Sequence, residues 1–162
     1  MHPRDGLPAR AHWVLLPLRL VVGIGFLVHG LAKLTRGPER FGVLLEHLGV
    51  PLPATTAWIV TSIEVIGGIA LIAGAFVALA AIPLIVTMIV ATITVHLPHG
   101  FSSVQTIGLT EAGPVFGPPG YEINLLYIAA LLVVAVLGPG PLSADALLGM
   151  RGADGTDPPR SD

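Results

Sequence analysis

No cysteine occurs among the 162 residues, which removes disulfides, thiolate chemistry and iron–sulfur ligation from this chain. Charge is nearly as scarce. Asp, Glu, Lys and Arg together make up 11% of the residues, less than half the roughly 25% of an ordinary soluble domain. No basic run is present and the net charge is −2, so a nucleic-acid partner has no electrostatic support. A cleavable leader is not expected, because Arg19 interrupts the first apolar stretch and no small-residue cleavage site follows it. No internal repeat is visible.

What fills the space is hydrocarbon: 53% of the residues are hydrophobic, which places the chain among integral membrane proteins. A spanning helix needs roughly 20 apolar residues to cross about 30 Å of hydrocarbon. Three apolar blocks stand out, Trp13 to Leu34, Ala57 to Val95 and Ile123 to Leu137. The middle block is nearly twice the length of one span, so it should break into two helices, with the turn near Gly74 to Ala78. Between the first and second blocks, Phe41, Leu44, Leu45 and Leu48 recur at helical spacing with Glu39, Arg40, Glu46 and His47 off the stripe. That pattern predicts a short amphipathic helix at the membrane surface, stopped by Gly49, Pro51 and Pro53.

The expected fold is therefore all-α: an integral membrane four-helix antiparallel bundle with a short amphipathic interfacial helix between helices one and two. Helix one is expected from about Trp13 to Leu34, helix two from Ala57 to Ala75, helix three from Leu79 to His96, and helix four from about Tyr121 to Leu137. Residues 1–12 read as a polar lead-in, 13–148 as the transmembrane domain, and 149–162 as a disordered tail. The long Leu97–Gly120 segment, rich in Pro and Gly, is expected to fold as a lid over the bundle mouth.

Four ionisable side chains, His29, Glu64, His96 and Glu122, fall in or at the ends of these apolar segments. Charge in lipid is expensive, about 2.5–3.5 kcal/mol per residue at a helix centre, and normally faces the bundle interior at a functional site. Antiparallel helices would bring all four to one membrane face, with His29 about 7–8 Å below the Leu34 end and Glu64 about 9–10 Å below the Trp58 end at 1.5 Å per residue. Lys33, one turn from His29, can shield either carboxylate, and Tyr121, Asn124 and Tyr127 add donors. Several chemistries are open to such a set. A quinone headgroup needs donors at its carbonyls and a group that passes protons. Two His and two carboxylates on facing helices can hold a metal, and two His can ligate haem. A purely structural ion pair of Glu64 with Lys33, or a hydrogen bond to His29, is the plainer account. Arg19, in the opposite leaflet, is expected to snorkel to the interface. Gly23, Gly25, Gly67, Gly68 and Gly74 read as close-packing positions, and Met88 as core filler.

The order Arg19, Gly25-Phe26, His29-Gly30, Lys33, then Gly49, Pro51, Pro53, then Glu64, Gly67-Gly68, Leu71, Gly74 resembles the DoxX family of small bacterial membrane proteins. So do Met88, Ala91, His96, Gly100, then Tyr121-Glu122 and Leu125-Leu126-Tyr127, and finally Gly138-Pro139-Gly140 with Asp145. The resemblance covers about residues 15–148. It implies a four-helix membrane bundle and a link to redox systems, since relatives include subunits of thiosulfate:quinone oxidoreductase and a membrane partner in mycobacterial oxidative-stress defence. His29, Lys33, Glu64, His96 and Glu122 match the family pattern.

The expected function is a membrane subunit of an oxidoreductase or oxidative-stress system that interacts with quinone through the buried cluster. Glu64 and His29 are the candidate catalytic residues; His29, Lys33, His96, Glu122 and Tyr127 the candidate quinone-binding ones. No metal ligand is assigned, although metal and haem stay open. The alternative is a non-catalytic membrane scaffold that docks a soluble redox or stress-response partner. Expected partners are the lipid bilayer, a protein redox partner and a second copy of the chain. The expected location is the bacterial cytoplasmic membrane, multi-pass, with both termini in the cytoplasm.

Overall fold

The computed structural model describes residues 12–147; the rest of the lead-in and the tail from Gly149 lie outside this range. Helix α1 is Leu15–Arg36, α2 is Pro38–His47, α3 is Pro53–Ala73, α4 is Val77–Ala91 and α5 is Glu122–Leu137. Three segments are long and apolar enough to cross a membrane: Leu15–Arg36, Pro53–Ala73, and α4 extended to His99; α5 is a shorter apolar helix.

The punctuation is set by proline and glycine. Pro38 and Pro53 each stand in the first turn of a helix, where a missing N–H costs nothing. That is why α3 starts four residues before the apolar block does. Gly74 ends α3 in the left-handed conformation, φ +69°, and Ala75 N–H donates back to the Ala70 carbonyl, an arrangement that suits glycine. The break in the long middle block falls where the sequence places it.

α1 packs chiefly on α3, α3 on α4, α4 on α5, and α5 back on α1. The α1–α3 crossing is close because Gly23 faces the Gly68 carbonyl and Gly68 faces the Leu27 backbone, positions where a Cβ would come within 3.1 and 2.7 Å. Val22, Phe26, Leu71, Val77, Ala81, Leu84, Leu131 and Val134 form the buried core. Outward faces are apolar too: Val21, Ile66, Leu79 and Val136 are all exposed, the distribution expected where the solvent is lipid.

Helix three reaches His96 as expected but not as a regular α-helix, and two other expectations need correction. Past Ala91 the helix widens into one π turn, Thr92–His96, then tightens into a 3-10 turn, Leu97–His99. The following segment is not the irregular loop of an all-α fold: it holds an antiparallel hairpin, β1 Thr106–Thr110 and β2 Gly113–Phe116, with a bulge at Ile107. Its strands are exposed rather than folded as a lid, Leu109 by 80%; the stretches on either side of the hairpin reach the helix ends, Ser103 at the start of α5 and Pro119-Gly120 at the cavity. Arg19 does not snorkel. It is 1% exposed, and its guanidinium donates to the Pro139 carbonyl at 2.6 Å, the Leu142 carbonyl at 3.1 Å and the Ile72 carbonyl at 3.5 Å. The C-terminal segment is thereby folded across the α3–α4 turn, where Asp145 accepts from the Phe76 and Val77 N–H groups.

Candidate functional site

At the end of the molecule opposite Arg19, all five helices border one cavity of about 800 Å³, within the range of ligand pockets. Most of its wall is apolar, supplied by side chains such as Phe26, Ile63, Val86 and Ile123. A few polar groups interrupt that wall.

The principal one is an ion pair. Glu64, on α3, is 2% exposed, and Lys33 Nζ lies 2.5 Å from both of its carboxylate oxygens. The pair forms because Gly30 has no side chain: a Cβ there would stand 2.9 Å from Val65 N and 3.0 Å from Glu64 Cβ. The helices close at that point, and Lys33, one turn further on, reaches across. Lys33 Nζ also sits 4.7 Å from the centroid of the Phe41 ring, a cation–π contact that ties α2 to the pair. Phe41, Leu44 and Leu45 of α2 roof the cavity, so the amphipathic stripe faces the site as well as the outside.

His29 lines the cavity one turn before Lys33 and is exposed. His96 enters from the π turn, with Nδ1 2.9 Å from the Pro119 carbonyl. π turns re-aim side chains and recur at functional sites. Asn124, 5% exposed, reaches the Met88 carbonyl at 3.5 Å. Tyr127 packs edge-on to Phe26 with ring centroids 5.2 Å apart. Its hydroxyl occupies the space a side chain at Gly25 would need.

Five of the six sequence-chosen residues, His29, Lys33, Glu64, His96 and Tyr127, therefore border one cavity. Glu122 does not. It accepts from the Ser103 N–H at 3.0 Å while Ser103 Oγ accepts from the Ile123 N–H at 3.1 Å, a reciprocal cap in which the carboxylate also suits the helix N-terminus. Among the described residues, no three His, Asp or Glu side chains come together to hold a metal ion. The two-His, two-carboxylate arrangement does not assemble.

The DoxX family model matches residues 14–97, just over half of the chain. This chain belongs to the DoxX family. It is similar to "Uncharacterized membrane protein Rv3486" of Mycobacterium tuberculosis, 29% identical over 143 residues that span 83% of this chain and 80% of that protein. It is also similar to "Putative oxidoreductase CatD" of Bacillus subtilis, 36% identical over 86 residues, 53% of this chain and 62% of that one. The chain thus spans less than two thirds of the latter's length. No solved structure is a significant match.

The DoxX match takes in His29, Lys33, Glu64 and His96 and stops short of Tyr127 and Glu122. Sequence reasoning about this DoxX membrane protein missed the contribution of α2, although its apolar stripe was the available signal. It also missed the Pro119 carbonyl, for which a sequence carries none.

Proposed function

We propose that this DoxX protein is the membrane subunit of a redox system and holds a quinone in the cavity beside the Lys33–Glu64 pair. The observation that carries the reading is the cavity itself: about 800 Å³, apolar over most of its wall, with an ion pair, two imidazoles and a phenol at its edge. A quinone is an apolar ring and tail with two polar oxygens, and its reduction takes up two electrons and two protons. An apolar wall with a few proton-passing groups suits that chemistry. In this reading Glu64 passes the proton, His29 and His96 contact the ring oxygens, and Lys33 and Tyr127 complete the polar edge. Glu122 is assigned to holding the loop. A protein partner supplies or takes the electrons. The relative named as an oxidoreductase supports a redox role in general terms.

The same reading makes α5 the fourth span of an antiparallel bundle in the bacterial cytoplasmic membrane, with both termini cytoplasmic. Its 16 residues measure about 24 Å at 1.5 Å per residue, short of a full hydrocarbon thickness. Both ends are tied to the rest of the molecule, which supports the reading. Glu122 and Ser103 hold it at the cavity end, and Pro139 meets Arg19 at the other.

The test is ligand analysis of the purified protein beside a His29→Ala/Glu64→Ala variant, both washed in the same detergent and extracted for quinones, metals and haem. Near-stoichiometric quinone retained by the wild type alone is expected. Equal, sub-stoichiometric lipid in both would transfer the case to a scaffold that docks a partner, for which the exposed hairpin with Ile107 and Leu109 is the surface.

A further inference from the structure

We infer that the cavity takes its ligand in the reduced, hydroxyl-bearing form, with a phenolic O–H of a hydroquinone-type ring donating to Nε2 of His96. The inference rests on the quinone reading above and adds which oxidation state the site prefers.

The argument begins at the other ring nitrogen. Nδ1 of His96 lies 2.9 Å from the Pro119 carbonyl oxygen. A carbonyl only accepts, so Nδ1 must carry the hydrogen. In the neutral imidazole Nε2 is then a lone-pair acceptor. Both His96 and Pro119 border the cavity, and in this inference the free acceptor faces the ligand.

The tautomer is held by the fold rather than by a mobile contact. Pro119 precedes Gly120, whose N–H donates to the Ser102 carbonyl at 2.9 Å; the N–H groups of Tyr121 and Glu122 donate to Gly100 at 3.1 Å and Phe101 at 2.9 Å. A Cβ at Gly120 would collide with the carbonyl oxygens of Gly100, Ser102 and Phe101, so only glycine fits there. This lattice fixes the Pro119 carbonyl, and the carbonyl fixes the imidazole.

The cation of the site is already committed, while His29 and Tyr127 stay available to a ring oxygen of either oxidation state. Lys33 places its ammonium against both oxygens of Glu64 and over the Phe41 ring, leaving at most one of its three protons for a ligand. An oxidised quinone offers carbonyl oxygens only, and one of these opposite Nε2 sets acceptor against acceptor. The hydroquinone offers a donor at that point and still accepts elsewhere. The free acceptor at His96, which only a hydroxyl can satisfy, selects the reduced ring.

The experiment uses the full chain in lipid nanodiscs under argon. Binding of decyl-benzoquinone and of its hydroquinone is measured by rapid filtration. The hydroquinone is expected to bind at least about ten-fold more tightly, the cost of one mismatched buried polar contact. In His96→Asn the amide nitrogen stands near the Nδ1 position and keeps the tie to Pro119, while the Nε2 acceptor is gone. That variant should lose about ten-fold for the hydroquinone and weaken the quinone far less. Equal affinity for both forms in the wild type, or equal weakening of both by His96→Asn, overturns the inference and leaves a quinone site standing. Absence of saturable binding by either form overturns the quinone reading and this inference with it.

Discussion

Lys33 and Glu64 illustrate what a buried charge demands of its neighbour. A carboxylate 2% exposed is tolerated because an ammonium covers both oxygens, and removing one partner strands the other. Lys33→Met should therefore lower stability by about 3 kcal/mol, the lower end for a broken buried pair, because Lys33 keeps 23% of its side chain exposed. Lys33→Met/Glu64→Leu should return to within about 1 kcal/mol of the wild type, since an apolar pair of similar volume replaces a desolvated one at little cost. Unfolding titrations in detergent measure both; a double variant no better than Lys33→Met would show that the two residues act separately. Of this pair, the depth, the helices and an ion pair of Glu64 with Lys33 were legible as one of several readings; the close crossing at the missing Cβ of Gly30, which brings the two together, was not. Arg19 was harder to read. Its apolar surroundings suggest a snorkelling side chain, while its partners are the carbonyls of Pro139, Leu142 and Ile72. Those positions are up to 123 residues away, and carbonyl acceptors leave no mark on residue identity.

At the scale of the elements, small residues decide which helices touch and where the cavity opens. Gly30 and Gly42 look alike in sequence, each a glycine inside a helix, but they differ in what faces them. A Cβ at Gly30 meets Val65 N at 2.9 Å, whereas at Gly42 the nearest atom is Ala54 Cα at an ordinary 3.5 Å. Backbone cannot rotate away as a side chain can. Gly30→Ala should push α1 from α3, pull Lys33 off Glu64, and cost about 2 kcal/mol, in the range for overpacking. Gly42→Ala should be neutral or stabilising by up to about 1 kcal/mol from helix propensity. Thermal melting of the two variants in one detergent orders them, and equal midpoints would remove the close crossing as the cause of the ion pair. The apolar runs, the Gly74 turn and the amphipathic α2 were all legible because they are local patterns of period and punctuation. The π turn at Thr92–His96 and the Thr106–Phe116 hairpin were not. A π turn changes the hydrogen-bond partner by one residue without changing the residue types. The hairpin has two exposed faces and so lacks the alternation that identifies a strand.

For the whole molecule, the two ends are chemically different and are joined by antiparallel helices. One end gathers Arg19, the α3–α4 turn and the returning segment with Asp145. The other gathers the cavity, α2 and the hairpin. The proposed orientation, with both termini cytoplasmic, would put the Arg19 end at the cytoplasm and the cavity end outward. Basic residues cannot decide this. Lys33, Arg36 and Arg40 lie at the cavity end, Arg4, Arg10, Arg151 and Arg160 in the terminal segments, and so even a split gives no positive-inside bias. The absence of native cysteine makes a direct measurement simple, because any single introduced thiol is the only one to label. Leu109→Cys in the hairpin and Phe76→Cys in the α3–α4 turn both sit at exposed positions on opposite ends of α4. A membrane-impermeant maleimide added to intact cells should label Leu109→Cys and spare Phe76→Cys, which should react only after the membrane is opened. The reverse pattern would turn the molecule over and place the cavity, and any electron-donating partner, on the cytoplasmic side. Labelling of both from outside would mean that α4 does not cross, and the antiparallel spanning arrangement would fall with it.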